Sequence, residues 1–209
     1  MAGKKIRIVA LLSGSGRTLQ NLLNLQASGE LQGDIVGVIG SLSGAYGLVR
    51  ARNAGVPTCV IRKKDHPDVE SFSAALTEQI QQWNPDLIVM AGFMCLYRMP
   101  PQFAGKVMNI HPALLPSFGG AGCYGHHVHE AVLAHGCKVS GCTVHFADNR
   151  YDCGPIIVQL TAPVREDDTP DSLAERVLEQ EFKAYPLAIN LFAQGRLRIE
   201  GRVVRILPK

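Results

Sequence analysis

Residues 5–18 read KIRIVALLSGSGRT. From Ile6 to Leu12 every position but Arg7 is apolar. A strand with one wet face would alternate, so this run belongs inside a sheet covered on both faces. It ends at Ser13-Gly14-Ser15-Gly16, and residues 18–27 follow with Leu19, Leu22 and Leu23 at helical spacing and Leu25 out of phase, closed by Ser28-Gly29. Strand, glycine turn and helix in that order form the first unit of a parallel α/β sheet.

The same alternation continues outward from this unit. Residues 34–39, 56–61, 87–91 and 107–110 are apolar runs, read as strands two to five. Between them lie a short helix over 46–54, stopped by Gly55, and a longer one over 68–83. The longer helix puts Phe72, Ala75, Leu76 and Ile80 on one face and stops at Asn84-Pro85. Beyond residue 111 the style changes. A helix is expected over 126–133, and residues 139–146 alternate toward a half-buried strand. Residues 154–160 then pair antiparallel with that strand. Asp168-Thr169-Pro170-Asp171 starts a long helix, with Thr169 as N-cap and proline in the first turn. It runs to about residue 194 and is bent or broken at Pro186. Residues 197–199 and 203–206 close a hairpin around Glu200-Gly201. The fold class is therefore α/β: a single-domain open twisted sheet, Rossmann-like and parallel in its N-terminal half, mixed or antiparallel afterwards, with a long C-terminal helix.

Composition excludes several function classes. The 209 residues are 46% hydrophobic and 19% charged, which is globular. A net charge of +3 is too small for a nucleic-acid surface, and no apolar run reaches the roughly 20 residues of a membrane span. Met1-Ala2-Gly3-Lys4-Lys5 opens no signal peptide. The six cysteines, Cys59, Cys95, Cys123, Cys137, Cys142 and Cys153, contain no C-x-x-C pair and read as reduced thiols of a cytoplasmic protein. The expected partners are small molecules, with no nucleic acid and no membrane, and the expected assembly is a monomer or homodimer.

Two segments carry chemistry. In the glycine turn, backbone N–H groups and the helix N-terminus suit an anion, and Arg17 with the hydroxyls of Ser15 and Thr18 add donors. The spacing before Gly16-Arg17-Thr18 is wrong for a P-loop. Leu19 stands where a dinucleotide loop has its third glycine, and strand two ends in Ile39-Gly40-Ser41 with no acid. A single phosphate fits better than a nucleotide, and a tight turn without ligand is the plain alternative. The second segment is Asn109-Ile110-His111-Pro112, at the end of strand five, where open α/β sheets bind ligands. Period two puts Asn109 and His111 on one face: an amide able to donate to a developing oxyanion, and an imidazole able to move a proton. A strand-end histidine capping a loop is the competing explanation. The acid Asp152, in the turn after the strand that carries His145, favours the chemical one.

Taken together, Asn109-x-His111-Pro112, Leu114-Leu115-Pro116-Ser117-Phe118, Gly141-Cys142-Thr143-Val144-His145-Phe146, Asp152-x-Gly154-Pro155 and Ser13-Gly14-x-Gly16-x-x-Leu19-Gln20 resemble the folate-dependent formyltransferases. The resemblance runs from about residue 6 to residue 201. It implies one formyltransferase domain over 1–209, with a phosphate-binding half over about 5–111 and a catalytic and folate half over about 112–209. It implies 10-formyltetrahydrofolate as co-substrate, no metal, and 5-phosphoribosylglycinamide of purine synthesis as acceptor. Formyl transfer would be direct, through a tetrahedral intermediate. A formyltetrahydrofolate hydrolase or another formyltransferase is the alternative, set back because those relatives add domains for which this chain has no room.

By the same resemblance, Asn109, His111 and Asp152 match the catalytic trio, with Asp152 keeping His111 charged. Gly16, Arg17 and Thr18 match the phosphate loop and Glu181 an acid near ribose and phosphate. Met94, Cys95, Leu96 and Tyr97 match the segment whose main chain meets the folate, with Val144 and His145 flanking that cleft and Asn109 reaching it. Cys95 stands where relatives often have arginine, Val69 near where some carry another, and the 118–125 loop is long and glycine-rich. His126, His127, His129 and Glu130 tempt a metal reading, but no H-E-x-x-H appears, so a solvated or anchoring histidine face is expected. Arg196, Arg198, Arg202 and Arg205 read as a solvated basic hairpin.

Overall fold

A computed structural model describes residues 5–209. The expectation placed on the first five residues therefore lies, Lys5 apart, outside the described part. One nine-stranded sheet runs β3-β2-β1-β4-β5-β6-β7-β9-β8. Its parallel part comprises β1 (Ile6–Leu12), β2 (Gly33–Gly40), β3 (Thr58–Val60), β4 (Leu87–Met90) and β5 (Val107–His111). β6 (Val139–Phe146) runs antiparallel to β5 and to β7 (Ile156–Pro163). The hairpin of β8 (Leu197–Glu200) and β9 (Val203–Ile206) joins the far side through Ile156 and Val203. β3 is shorter than the apolar run 56–61, because as an edge strand it has only β2 to pair with.

Side-chain alternation along the strands splits the core in two. Ile8, Ala10 and Leu12 of β1 face α1 (Arg17–Ser28), α2 (Tyr46–Asn53) and α5 (Pro170–Ala193); Val9 and Leu11 face α3 (Val69–Gln82). On α3, Phe72, Leu76 and Ile80 are buried, and Ala75 lies at the margin of that face. β6 is not half-buried as its alternation suggested: seven of its eight residues are buried. Cys142, Val144 and Phe146 pack in the α5-side core. On the other face the chain after β5 lies over the strand, with Thr143 Oγ1 donating to the Ala113 carbonyl at 2.7 Å and accepting from the Leu115 N–H at 3.0 Å.

α5 starts where expected. Thr169 and Ser172 form a reciprocal capping box around Pro170. The helix passes through Pro186 unbroken. Proline has no N–H to give Phe182, four residues earlier, and Asn21 of α1 donates Nδ2–H to that carbonyl at 3.0 Å. The Tyr185 hydroxyl lies within 2.9 Å of the Met90 carbonyl and 3.0 Å of the Met108 carbonyl, tying α5 to β4 and β5 where the sheet opens. α4 (His126–Ala134) packs beside α5. No helix among the described residues is long and apolar enough to cross a membrane.

Candidate active site

Asn109 and His111 leave β5 on the face away from α5, and Thr143 and His145 of β6 stand opposite His111 and Asn109 respectively. A bulge between Val144 and His145 shifts the β6–β7 pairing at this point. The link to β7 then returns Asp152 over the same face, in a left-handed conformation with φ 52°. Gly154 makes that return possible: a Cβ there would lie 1.7 Å from the Phe146 carbonyl oxygen. Arg202, in the β8–β9 turn, donates to the Cys153 carbonyl at 3.0 Å and braces the turn from outside. The basic hairpin is thus partly internal wiring, with Arg198 and Arg205 both paired to Glu200.

Asn109, His111, His145 and Asp152 form one cluster. His111 is almost fully buried; its Nε2 lies 2.8 Å from the Phe118 carbonyl and its Nδ1 3.5 Å from Asp152 Oδ2. Asp152 Oδ2 also accepts the Gly120 N–H at 3.0 Å. Burial holds the His111 imidazole below its usual value, against the upward pull of Asp152 and the Phe118 carbonyl. The expected effect of Asp152 is present, but desolvation outweighs it in the free protein. Burial works to raise the Asp152 carboxyl, yet its contact with His145, the His111 charge and the Gly120 N–H bring it below the usual carboxylate range. Asn109 Nδ2 lies 3.2 Å from His145 Nε2 and 3.3 Å from Asp152 Oδ1. The amide expected to donate into the cleft has its nitrogen against these two side chains.

These groups line a cleft of about 350 Å³. One wall is the segment after β4. Met94 donates its N–H to Ser13 Oγ at 2.9 Å, and Tyr97 is buried with its hydroxyl 2.8 Å from Thr77 Oγ1. From Met94 to Tyr97 the main chain makes no backbone–backbone hydrogen bond among the described residues. Burial pushes the Cys95 thiol up, so it is not a ready nucleophile. Val144 does not reach this cleft. It is fully buried in the α5-side core, and alternation brings its neighbour His145 to the cleft instead.

The cleft also reaches Thr18, in the first turn of α1 just after the glycine turn. Gly16 caps α1 with φ 68°, and a Cβ there would lie 2.4 Å from Gly47 Cα, so packing against α2 also requires glycine. No side chain caps α1, whereas Asp68 caps α3 and Thr169 caps α5. The first-turn N–H groups of α1 thus have no capping side chain. Thr18 lines the cleft and donates Oγ1–H to Glu181 Oε2 at 3.1 Å, and burial lifts the Glu181 carboxyl to about 7. Arg17 is turned to Glu175 of α5 in a two-pronged ion pair, and Ser15 lines a separate hollow with Arg62 and Lys64. Of the proposed phosphate residues, Thr18 and Glu181 line the main cleft.

The histidine cluster on α4 disperses. His126 pairs with Asp171, His127 with Glu130, and His129 turns inward. Among the described residues no three His, Cys, Asp or Glu side chains are grouped to hold a metal. None of the six cysteines is bridged. Sequence reasoning passed over Phe118 and Gly120, whose main-chain atoms hold His111 and Asp152; backbone contacts of a loop leave no residue-type signal.

The chain matches the formyl transferase family over residues 6–189. It is 35% identical over 209 residues to the phosphoribosylglycinamide formyltransferase of Haemophilus influenzae, covering 97% of this chain and 96% of that one. It is 39% identical over 197 residues to the trifunctional purine biosynthetic protein adenosine-3 of Gallus gallus, covering 93% of this chain but spanning 19% of that protein's length. The crystal structure of glycinamide ribonucleotide transformylase 1 from Symbiobacterium toebii superimposes with a TM-score of 0.91 at 45% identity, covering 99% of this chain and 96% of the other.

Proposed function

Because the chain belongs to the formyl transferase family, we propose that it transfers the formyl group of 10-formyltetrahydrofolate to the primary amine of 5-phosphoribosylglycinamide in purine synthesis. The observation that carries this reading is that Asn109, His111 and Asp152 line one cleft together with residues 94–97, whose main chain makes no backbone–backbone hydrogen bond among the described residues, and with Thr18 in the first turn of α1, a helix that no side chain caps. An acceptor with a phosphate at one end and an amine at the other suits that geometry, as does a formyl donor that needs paired donors and acceptors.

The donor supplies an activated amide carbonyl; the chain supplies position and charge. Asp152, held ionised, is available to take a proton from the attacking amine. The proton passes on to His111 Nδ1, 3.5 Å from Asp152, so that an imidazolium with an acceptor at each nitrogen, Asp152 and the Phe118 carbonyl, stands beside the developing negative charge; as the C–N10 bond breaks and the carbonyl reforms, the proton goes to the leaving N10. Main-chain atoms of Cys95–Tyr97 hold the pteridine, walled by Met94 and Leu96. Gly16, Arg17, Thr18 and Glu181 receive phosphate and ribose. In this reading residues 5–111 hold the phosphate loop, residues 112–209 contribute Asp152 and Glu181, and the chemistry straddles that boundary. We place the enzyme in the cytoplasm, on the unbridged thiols.

Incubation with 10-formyltetrahydrofolate, with and without phosphoribosylglycinamide, tests the assignment. Formyl transfer that requires the acceptor is expected. Acceptor-independent loss of formate would make the protein a hydrolase, and no turnover in either case would reject formyl chemistry.

A further inference from the structure

We propose that Ser13 and Ser73 are positioning residues: their buried hydroxyls hold residues 94–97 at both ends and so set the main chain that meets the donor's pteridine. The assignment rests on the formyl-transfer reading above. Both serines are 3% exposed, and neither lines the cleft. Ser13 follows β1 and grips the chain leaving β4 twice. Its N–H donates to the Gly92 carbonyl at 2.9 Å, and its Oγ accepts the Met94 N–H at 2.9 Å. Ser41 Oγ, 2.6 Å away and equally buried, is the acceptor for the Ser13 hydroxyl hydrogen. At the other end Ser73, on the buried face of α3, accepts the Arg98 N–H at 3.0 Å.

Between these two points Cys95, Leu96 and Tyr97 make no backbone–backbone hydrogen bond among the described residues. A segment without such bonds has no ladder to fix its peptide planes, and here two side-chain hydroxyls take that part. The flanking rings hold it with less direction: Phe93 stacks on Phe72 at 6.4 Å, and the Tyr97 hydroxyl meets Thr77. Ser13 also opens the glycine turn, so one residue fixes the donor's main chain relative to the turn proposed for the acceptor's phosphate. Neither serine touches substrate in this reading; both act through the peptide groups they hold.

Two measurements test this, one without substrate. Met94 is 50% exposed, and its amide bonds to Ser13 alone among the described residues. In hydrogen exchange of the free protein followed by NMR, Ser13→Ala should speed the Met94 amide, and Ser73→Ala the Arg98 amide, by about tenfold or more, the scale of one hydrogen bond. The Ala91 amide, bonded to the Leu11 carbonyl, should keep its wild-type rate. An unchanged Met94 or Arg98 rate overturns the proposal. In binding, tetrahydrofolate stands for the donor without its reactive group. Each variant should weaken it about tenfold and leave phosphoribosylglycinamide affinity within about threefold. Unchanged tetrahydrofolate affinity overturns the proposal. So do equal losses for both ligands, because a general loosening of the fold would not choose between them. Alanine suits a helix interior, so Ser73→Ala carries both measurements if Ser13→Ala fails to fold. A wild-type protein that binds no tetrahydrofolate fails the functional reading instead, and the exchange rates then decide alone whether the two serines hold the segment.

Discussion

Glu181 places a carboxyl beneath the glycine turn, out of water, with the Thr18 hydroxyl as its hydrogen-bond partner at 3.1 Å. Burial lifts it from 4.5 to about 7. A folded-state value above the unfolded one means that the native protein binds the extra proton between these limits. Stability then falls as pH rises from about 4.5 to about 7, by roughly 3 kcal/mol in all. Glu181→Gln keeps the Thr18 contact and removes the titration. Its stability relative to wild type should improve between pH 5 and pH 8 in urea unfolding; a constant difference would show that the carboxyl is hydrated in solution. In the chemistry, His111→Ala and Asp152→Asn should each lower turnover by about 10²- to 10⁴-fold with the fold intact by circular dichroism. Near-normal turnover in His111→Ala would sink the proposed role. At this scale the sequence was legible where a rule of geometry applied. Period two put Asn109 and His111 on one face, and the Gly/Pro turn marked Asp152. The same rule, applied to β6, separates Val144 from the cleft and brings His145 to it. Glu181 has no local signal at all, because its partner Thr18 lies 163 positions away.

Helix α5 shows how an element absorbs a proline. The Phe182 carbonyl loses its helical donor at Pro186 and takes the Asn21 amide instead. Asn21→Ala should cost about 1 kcal/mol, the low end of the range for a carbonyl left unpaired, because this one is only part-buried. The cost should shrink in a Pro186→Ala background, where an N–H is restored. Additive losses in that double-mutant cycle would mean that the two sites are uncoupled. The segment after β4 gives a second test. If its main chain recognises the pteridine, Cys95→Ala and Cys95→Arg should leave folate affinity within about tenfold, or ~1.4 kcal/mol. A complex with the pteridine away from residues 94–97 would refute the assignment. Strands and helices were mostly legible because each is an apolar run or stripe bounded by glycine, proline or a cap. β3 and β6 departed for tertiary reasons: one has a single neighbour, and the other is covered by a loop with no periodicity of its own.

Across the whole molecule, the strand order and the α1–α5 contact were not legible, because both depend on pairings between distant segments. They matter to function. Placing α5 beside α1 brings Glu175 to Arg17, so the guanidinium of the glycine turn is held by a carboxylate, itself held below its ordinary value by that contact. The pair is about half exposed on both sides, so it is worth little to stability and its geometry is open to competition. A substrate phosphate at the uncapped α1 N-terminus would draw Arg17 from Glu175, trading one charge-assisted bond for another. Removing the phosphate from the substrate and removing Arg17 should then be non-additive. In wild type, the dephosphorylated acceptor should lose about 10- to 100-fold or more in kcat/KM, the range of one or two charge-assisted hydrogen bonds. In Arg17→Ala, much of that preference should be gone, and Glu175→Gln, which frees the guanidinium, should keep it or sharpen it. If Arg17→Ala kept the full preference, the arginine would belong only to the α1–α5 pair, and the phosphate would rest on the backbone of the turn alone.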